Sequence, residues 1–174
     1  MATPKIYIDA CCIIEALKKR RGLTLSHPPS DIDMIERIMR AAREDELELH
    51  TSIITVAEVV HLGQTPPPAD LKPYVERLLL SGRDGVRAIA PSPQIILLAR
   101  DLATDENISG GAADRIHVAT AMTVGAEEFL TLDGRLARKM ANSNLRGLRM
   151  VSPSESSLLP DRYRQNDIFN QPQA

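Results

Sequence analysis

Five short apolar runs occur along the chain, and between them apolar residues recur at the spacing of amphipathic helices. The runs have the length and composition of strands, and they predict strands at positions 5–9, 47–51, 85–90, 128–132 and 148–151. The intervening stretches predict helices at 10–21, 30–45, 52–62, 70–80, 92–104, 112–124 and 135–141. Because strands alternate with helices, we expect an α/β fold with a mainly parallel sheet covered by helices on both faces.

Glycine, proline and polar residues mark the connections between these elements. The loops are predicted at 22–30, 64–68 and 107–111. The predicted strands and helices fill residues 1–151, which we interpret as one domain. Residues 152–174 are polar and contain three prolines, so we expect a C-terminal surface tail there.

The composition indicates an ordinary soluble globular protein. Of 174 residues, 43% are hydrophobic, 25% are charged and 3% are aromatic, which predicts an aliphatic core. The 21 basic and 23 acidic residues give a net charge of -2, without the basic excess typical of a nucleic-acid binder. That balance does not exclude nucleic acid, because a cluster of metal-binding carboxylates would offset basic residues elsewhere.

The two cysteines, Cys11 and Cys12, are adjacent, and they form neither a disulfide framework nor a zinc-binding spacing with histidines. Their scarcity is consistent with a reducing compartment. The first residues lack the apolar segment of a signal peptide, and no stretch is long enough to span a membrane. We therefore expect a cytoplasmic protein without a membrane partner.

Two aspartates follow predicted strands. Asp9 stands where the first strand passes into a helix, and Asp133 follows the fourth strand. The carboxyl ends of parallel strands are where α/β sheets bind ligands, so the two side chains are expected at one edge. For Asp133 a simple Asp-Gly turn is the alternative interpretation.

Two further acidic residues lie in apolar surroundings. Glu58 is flanked by Thr55, Val56 and Val59, and a glutamate in such a setting needs a partner. It is either half of a buried salt bridge or a ligand that holds a metal ion or positions a water. Asp114 begins a predicted helix, where it is either a capping residue or a ligand.

Taken together, the four carboxylates favour a divalent-metal site. Close carboxylates repel, and each pKa would rise unless cations share the site. Mg²⁺ and Mn²⁺ take oxygen ligands, activate water and neutralise phosphate charge. Without a catalytic Cys, a Ser–His pair or a Gly-rich phosphate loop, the pattern indicates metal-assisted phosphodiester hydrolysis.

At four segments the sequence resembles the PIN-domain nucleases, in particular the VapC-like toxins of bacterial toxin–antitoxin pairs. The segments are 7–9, 55–59, 113–121 and 129–133, within a similarity that extends from about residue 5 to residue 151. The resemblance implies an α/β/α sandwich, a hydrolase that cleaves RNA with Mg²⁺ or Mn²⁺, and products with a 5′-phosphate and a 3′-hydroxyl. It also implies a homodimer held inactive by an antitoxin protein. The residues at the family's acidic positions are Asp9, Glu58, Asp114 and Asp133.

One position departs from that family. Members commonly have Ser or Thr two residues after the first aspartate, and here this residue is Cys11, whose thiol is a weaker hydrogen-bond donor. A PIN-fold module that binds RNA or protein with little turnover is therefore the alternative function. A phosphatase using Asp9 as nucleophile is disfavoured, because a DxD pair would require an aspartate in place of Cys11.

Three other residues are weighed as parts of the site. Thr131 is either a ligand-binding hydroxyl or an ordinary strand threonine. Arg115 is either a contact to the RNA backbone or a solvated or paired surface residue. His117 lies one turn beyond Asp114 and is expected to be a helix-packing residue.

Overall fold

The structure, a computed structural model, describes residues 3–63, 66–104, 111–140, 143 and 145–164. Within these residues five strands form one sheet in the order β3-β2-β1-β4-β5, and every neighbouring pair is parallel. The strands are β1 (Lys5–Ile8), β2 (Glu48–Ser52), β3 (Val86–Ile89), β4 (Glu128–Leu130) and β5 (Arg149–Val151). The predicted parallel sheet is confirmed.

Helices cover both faces of this sheet, as a parallel sheet requires. Those that precede or follow each strand are α1 (Ala10–Arg20), α2 (Pro29–Arg43), α3 (Thr55–Glu58), α4 (Leu71–Leu80), α5 (Pro93–Thr104), α6 (Ala112–Val124) and α7 (Gly134–Met140). A 3₁₀ turn (Pro153–Glu155) and a last helix, α8 (Asp161–Arg164), follow β5. No helix in the described ranges combines the length and the apolar character needed to cross a bilayer.

The side chains of β1 alternate between two separate hydrophobic cores. Ile6 and Ile8 pack with α1, α2 and α4 on one face. Tyr7 packs with α5, α6 and α7 on the other, where its ring stacks on Phe129 of β4 at 4.9 Å between ring centroids. The three-layer α/β/α architecture expected from the sequence is therefore confirmed.

The prediction of a helix over 52–62 is wrong in its length. The structure has a single helical turn, α3, which ends at Glu58 because Val59 leaves the helix at φ -83° and ψ 66°. Val59 is buried in the core that includes α4, and β-branched residues such as Val59 and Val60 favour helices weakly. Packing of the chain onto the core thus outweighs a helical pattern in the sequence.

Other predicted boundaries agree within one or two residues, which is the usual uncertainty of helix and strand ends. The second helix begins at Pro29 rather than at residue 30, since proline suits the first turn. Part of the predicted connection 64–68, most of the predicted loop 107–111 and the end of the predicted tail fall outside the described residues.

The first part of the predicted tail packs against α2. The backbone N–H of Ser154 donates to Asp31 Oδ1 at 2.9 Å, so this buried aspartate joins α2 to the 3₁₀ turn. Tyr163 is 3% exposed, and its hydroxyl donates to Glu44 Oε2 at 2.5 Å. Residues 153–164 therefore contribute to the core, while the division into a domain over 1–151 and a tail stays a prediction.

A buried histidine in β2 makes the stability of this fold sensitive to pH. His50 is 5% exposed, and its Nε2 lies 3.0 Å from Glu48 Oε2, while its Nδ1 has no hydrogen-bond partner among the described residues. Burial lowers the pKa of His50, and the charges of Arg87 and Lys5 lower it further, although Glu48 opposes the shift. The folded state therefore holds this imidazole neutral.

We predict that the free energy of unfolding falls as the pH drops below about 6.5, the ordinary histidine value. The unfolded chain binds the proton more readily than the fold, so the contribution of neutral His50 is complete above that pH and is lost as the pH falls through the lowered pKa. Urea unfolding measured between about pH 8 and pH 5 should show that the free energy of unfolding changes less with pH for His50→Gln than for wild type. An equal change with pH in the two proteins would contradict the prediction.

Candidate active site

The strands and helices that carry the four predicted acidic residues place all four at the carboxyl edge of the sheet. Asp9 directly follows β1, and Asp133 lies just after β4 and before α7. Glu58 ends α3, which comes after β2. Asp114 is in the first turn of α6, whose last residue, Val124, accepts a hydrogen bond from Lys5 at the opposite edge.

Asp9 is fixed in place by its position at the start of α1. Its extended backbone (φ -78°, ψ 156°) makes it the N-cap of that helix, and its Oδ1 accepts from the backbone N–H of Ala10 at 2.8 Å. Its Oδ2 accepts from the Thr131 hydroxyl at 2.8 Å and from the Cys11 thiol at 3.2 Å. With 9% of the residue exposed, the carboxylate is presented in one orientation.

Thr131 and Cys11 connect the ends of β1 and β4. The Thr131 Oγ1 also accepts from the backbone N–H of Asp133 at 3.0 Å, so one hydroxyl contacts both aspartates. The Cys11 Sγ accepts from the backbone N–H of Leu132 at 3.3 Å. The thiol thus bridges the two strand ends, and it makes the longer contacts typical of sulfur.

Asp133 is held in its ionised form at the start of α7. Its Oδ1 accepts from the backbone N–H groups of Arg135 at 2.8 Å and Leu136 at 3.3 Å. Partial burial acts against the charge, but these two hydrogen bonds and the nearby Arg135 guanidinium lower the pKa of Asp133 below its ordinary value. The lowered pKa of Asp133 thus has a local cause, because two helix N–H groups and a nearby cation outweigh the effect of burial.

Glu58 belongs to a second hydrogen-bonded group at the same edge. Its Oε2 lies 2.7 Å from His117 Nε2, and His117 Nδ1 lies 2.6 Å from the Tyr7 hydroxyl. His117 is 1% exposed and Tyr7 is completely buried, whereas the Glu58 side chain is 32% exposed. Among the described residues, the partner of Glu58 is therefore His117 of α6.

The negative charges of Asp9 and Glu58, one from each hydrogen-bonded group, both act on the Tyr7 hydroxyl. Burial raises the pKa of the Tyr7 hydroxyl well above its ordinary value, and the negative charges of Asp9 and Glu58 raise it further. Tyr7 and Asp9 are two residues apart on an extended chain and so lie on one face of the sheet. The end of β1 therefore links the hydrogen-bonded group around Asp9 to the group around Glu58.

Asp114 acts as a capping residue in this structure. Its Oδ2 accepts from the backbone N–H of Gly111, the N-cap residue of α6, at 3.0 Å. Arg115 follows it in the same turn and is half-buried. The capping alternative weighed from the sequence is thus observed, and it leaves the carboxylate at the helix end that faces the carboxyl edge.

The donor chemistry of these residues suits a hard divalent cation, since all four offer carboxylate oxygens. In the ranges that the structure describes, no group of three or more His, Cys, Asp or Glu side chains is arranged to hold a metal ion. Asp9, Asp114 and Asp133 instead accept from backbone N–H groups, and Glu58 pairs with His117. At Asp114, Asp133 and Glu58 these contacts use one carboxylate oxygen, and the other oxygen accepts no hydrogen bond from the described residues.

A family model described as the PIN domain matches residues 6–141, which is most of the chain. The chain belongs to the PIN domain family. PIN domains are generally nucleases, and those that cut nucleic acid typically use divalent metals. A comparison with curated proteins found no match.

The PIN match includes every residue that the sequence assigned to the site. Asp9, Cys11, Thr131 and Asp133 form one connected group, Glu58 lies in a second, and Asp114 stands at the start of α6 with Arg115 beside it. The sequence interpretation missed the contact between His117 and Glu58. The available signal was the three-residue spacing from Asp114, which places His117 on the same face of α6.

We predict that Thr131→Val destabilises this PIN domain by about 1–3 kcal/mol, the usual cost of leaving buried polar groups without partners. Valine keeps the shape of threonine but neither donates to Asp9 nor accepts from Asp133. The matched control is Thr131→Ser, which keeps the hydroxyl. Urea unfolding should rank wild type near Thr131→Ser and well above Thr131→Val, and equal losses would show that the hydroxyl contacts do not contribute.

Proposed function

We propose that this PIN domain is an endoribonuclease that hydrolyses RNA phosphodiester bonds with Mg²⁺ or Mn²⁺. The observation that carries the proposal is the common placement of Asp9, Glu58, Asp114 and Asp133. They come from parts of the chain up to 124 residues apart, and each is delivered to the carboxyl edge of one parallel sheet. Carboxylates at one edge of a sheet supply the oxygen ligands preferred by a cation that neutralises phosphate charge and activates a water.

Each carboxylate has a proposed role. Asp9, Asp114 and Asp133 would hold the cation, and Glu58 would complete the set either as a ligand or by orienting the attacking water. Cys11 and Thr131 fix the Asp9 carboxylate through its Oδ2, and Arg135 and Leu136 keep Asp133 ionised. Arg115, in the turn that carries Asp114, is proposed to contact the RNA backbone.

A second candidate function is an RNA- or protein-binding module of the same fold with little or no turnover. Two observations favour it: the thiol of Cys11 in place of a hydroxyl, and carboxylates that hydrogen-bond to the protein rather than converge as a ligand set in the described residues. The two candidates differ in a measurable way, because the module should bind RNA without cutting it in any divalent metal.

We further propose that the protein is the toxin of a toxin–antitoxin pair and acts in the cytoplasm as a homodimer. This proposal rests on the resemblance to the VapC-like toxins. Exposed apolar side chains on α4 and α5 are compatible with a protein partner, since Leu80, Ile96 and Leu97 are each 45–54% exposed.

We predict that Asp9→Asn lowers the rate of RNA cleavage by roughly 100-fold or more, because a cation ligand supplies several kcal/mol of transition-state stabilisation. The measurement is cleavage of a labelled single-stranded RNA by the purified protein with Mg²⁺ or Mn²⁺. Chelation should stop cleavage, and added metal should restore it.

The matched control for that experiment is Asp161→Asn. It makes the same chemical change on α8, outside the set of acidic residues assigned to the site. The side chain of Asp161 is 98% exposed. The rate of this variant should equal that of wild type. Undiminished cleavage by Asp9→Asn would refute the proposed active site, and binding without cleavage by the wild type would favour the second candidate.

We predict that induced expression of the wild-type chain halts the growth of a bacterial host and that expression of Asp9→Asn does not. RNA cleavage would cause the arrest, so it should disappear with the nuclease activity. Coexpression of a small protein encoded next to the gene should relieve the arrest if that protein is an antitoxin. Normal growth with a cleavage-competent wild type would contradict the toxin role but not the nuclease.

A further inference from the structure

Tyr7, His117 and Glu58 form a continuous hydrogen-bonded chain from the core to the carboxyl edge. The Tyr7 hydroxyl lies 2.6 Å from His117 Nδ1, and His117 Nε2 lies 2.7 Å from Glu58 Oε2. The first two side chains are almost completely buried. A buried imidazole with both ring nitrogens engaged has one fixed orientation.

The order of the three groups determines where the protons lie. A carboxylate accepts hydrogen bonds, so the contact with Glu58 Oε2 is made by the tautomer of His117 that carries its hydrogen on Nε2. In the neutral imidazole Nδ1 is then an acceptor, and the Tyr7 hydroxyl donates to it.

Glu58 depends on this contact because the helix that carries it, α3, is very short. α3 is a single turn of four residues, too short to be stable without tertiary contacts. The chain leaves the helix at the next residue, Val59. Among the described residues no hydrogen bond reaches Glu58 Oε1, so His117 supplies the hydrogen bonding that orients this carboxylate.

We propose that His117 is a positioning residue for Glu58 and that Tyr7 selects the tautomer of His117 that can hold it. This deepens the proposed nuclease function and rests on it. In metal sites, partners that orient a ligand typically change metal affinity or activity by about 10–100-fold when they are removed. Tyr7 and His117 would thus act on the site without touching the cation or the RNA.

A purely structural role is the alternative, since Tyr7 also stacks on Phe129 and meets His117 edge to face. Tyr7→Phe distinguishes the two roles. Phenylalanine keeps the ring and its packing, but it removes the hydroxyl that fixes the tautomer. His117→Gln is the complementary change, because a glutamine amide can donate to Glu58 and needs no tautomer to be selected.

The experiment is Mn²⁺ titration of the purified full-length protein, followed by the electron paramagnetic resonance signal of free Mn²⁺. We expect Tyr7→Phe and His117→Ala to weaken binding by about 10-fold or more, and His117→Gln to retain more affinity than His117→Ala. Adding Tyr7→Phe to His117→Gln should cause no further loss, because the tyrosine then has no imidazole to select. In cleavage assays kcat should fall while KM for RNA stays unchanged.

The matched control is His50→Gln. It removes another buried histidine that pairs with a carboxylate, but this pair is formed with Glu48, at the start of β2. Thermal unfolding of all variants measures the general cost of losing such a pair. His50→Gln should lower the unfolding temperature and leave Mn²⁺ affinity unchanged.

A readout without metal tests the tautomer itself. Nitrogen-15 spectra of the imidazole side chains should show the hydrogen of His117 on Nε2 in wild type, and a mixture of tautomers in Tyr7→Phe. An Nδ1–H tautomer in wild type, or wild-type Mn²⁺ affinity in both Tyr7→Phe and His117→Ala, would overturn this inference alone. A wild-type protein that binds no Mn²⁺ and cuts no RNA would overturn the proposed function and this inference with it.

Discussion

The parallel pairing of β1 between β2 and β4 is the constraint on which the candidate site depends. Parallel strands end at the same edge, so this pairing brings Asp9 next to the residues that follow β4 and near those that follow β2. In the register, Tyr7 lies opposite both His50 and Phe129. A shift by one residue would turn Asp9 toward the opposite core, because side chains alternate between the two faces.

The same alternation relates Asp9 and Thr131 to one of the two cores, while Cys11 packs against the other. Tyr7 and Phe129 pack against the α5–α7 layer, and two residues further along each strand the chain presents Asp9 and Thr131 on that side. The core and the edge therefore share the same two strands. His117 of α6 connects the core to the edge, since it contacts both the buried Tyr7 and Glu58.

Much of this fold could be predicted from the sequence because strands and helices differ in their hydrophobic period. The five strands, their parallel arrangement and the strand-end positions of Asp9 and Asp133 follow from local pattern. The local pattern does not reveal contacts between residues that are distant in the sequence. Thr131 reaches Asp9 across 122 positions, and His117 reaches Glu58 across 59, so neither partnership has a local signature.

Helix N-termini hold three of the four acidic side chains in place. Asp9 caps α1, Asp114 accepts from the N-cap residue of α6, and Asp133 accepts from the first backbone N–H groups of α7. Each carboxylate thus meets the positive end of a helix dipole, which favours the anion. At Asp114 and Asp133 these contacts use one carboxylate oxygen, and the other accepts no hydrogen bond from the described residues. Glu58 differs from the other three, because its carboxylate is held by the side chain of His117 rather than by the end of a helix.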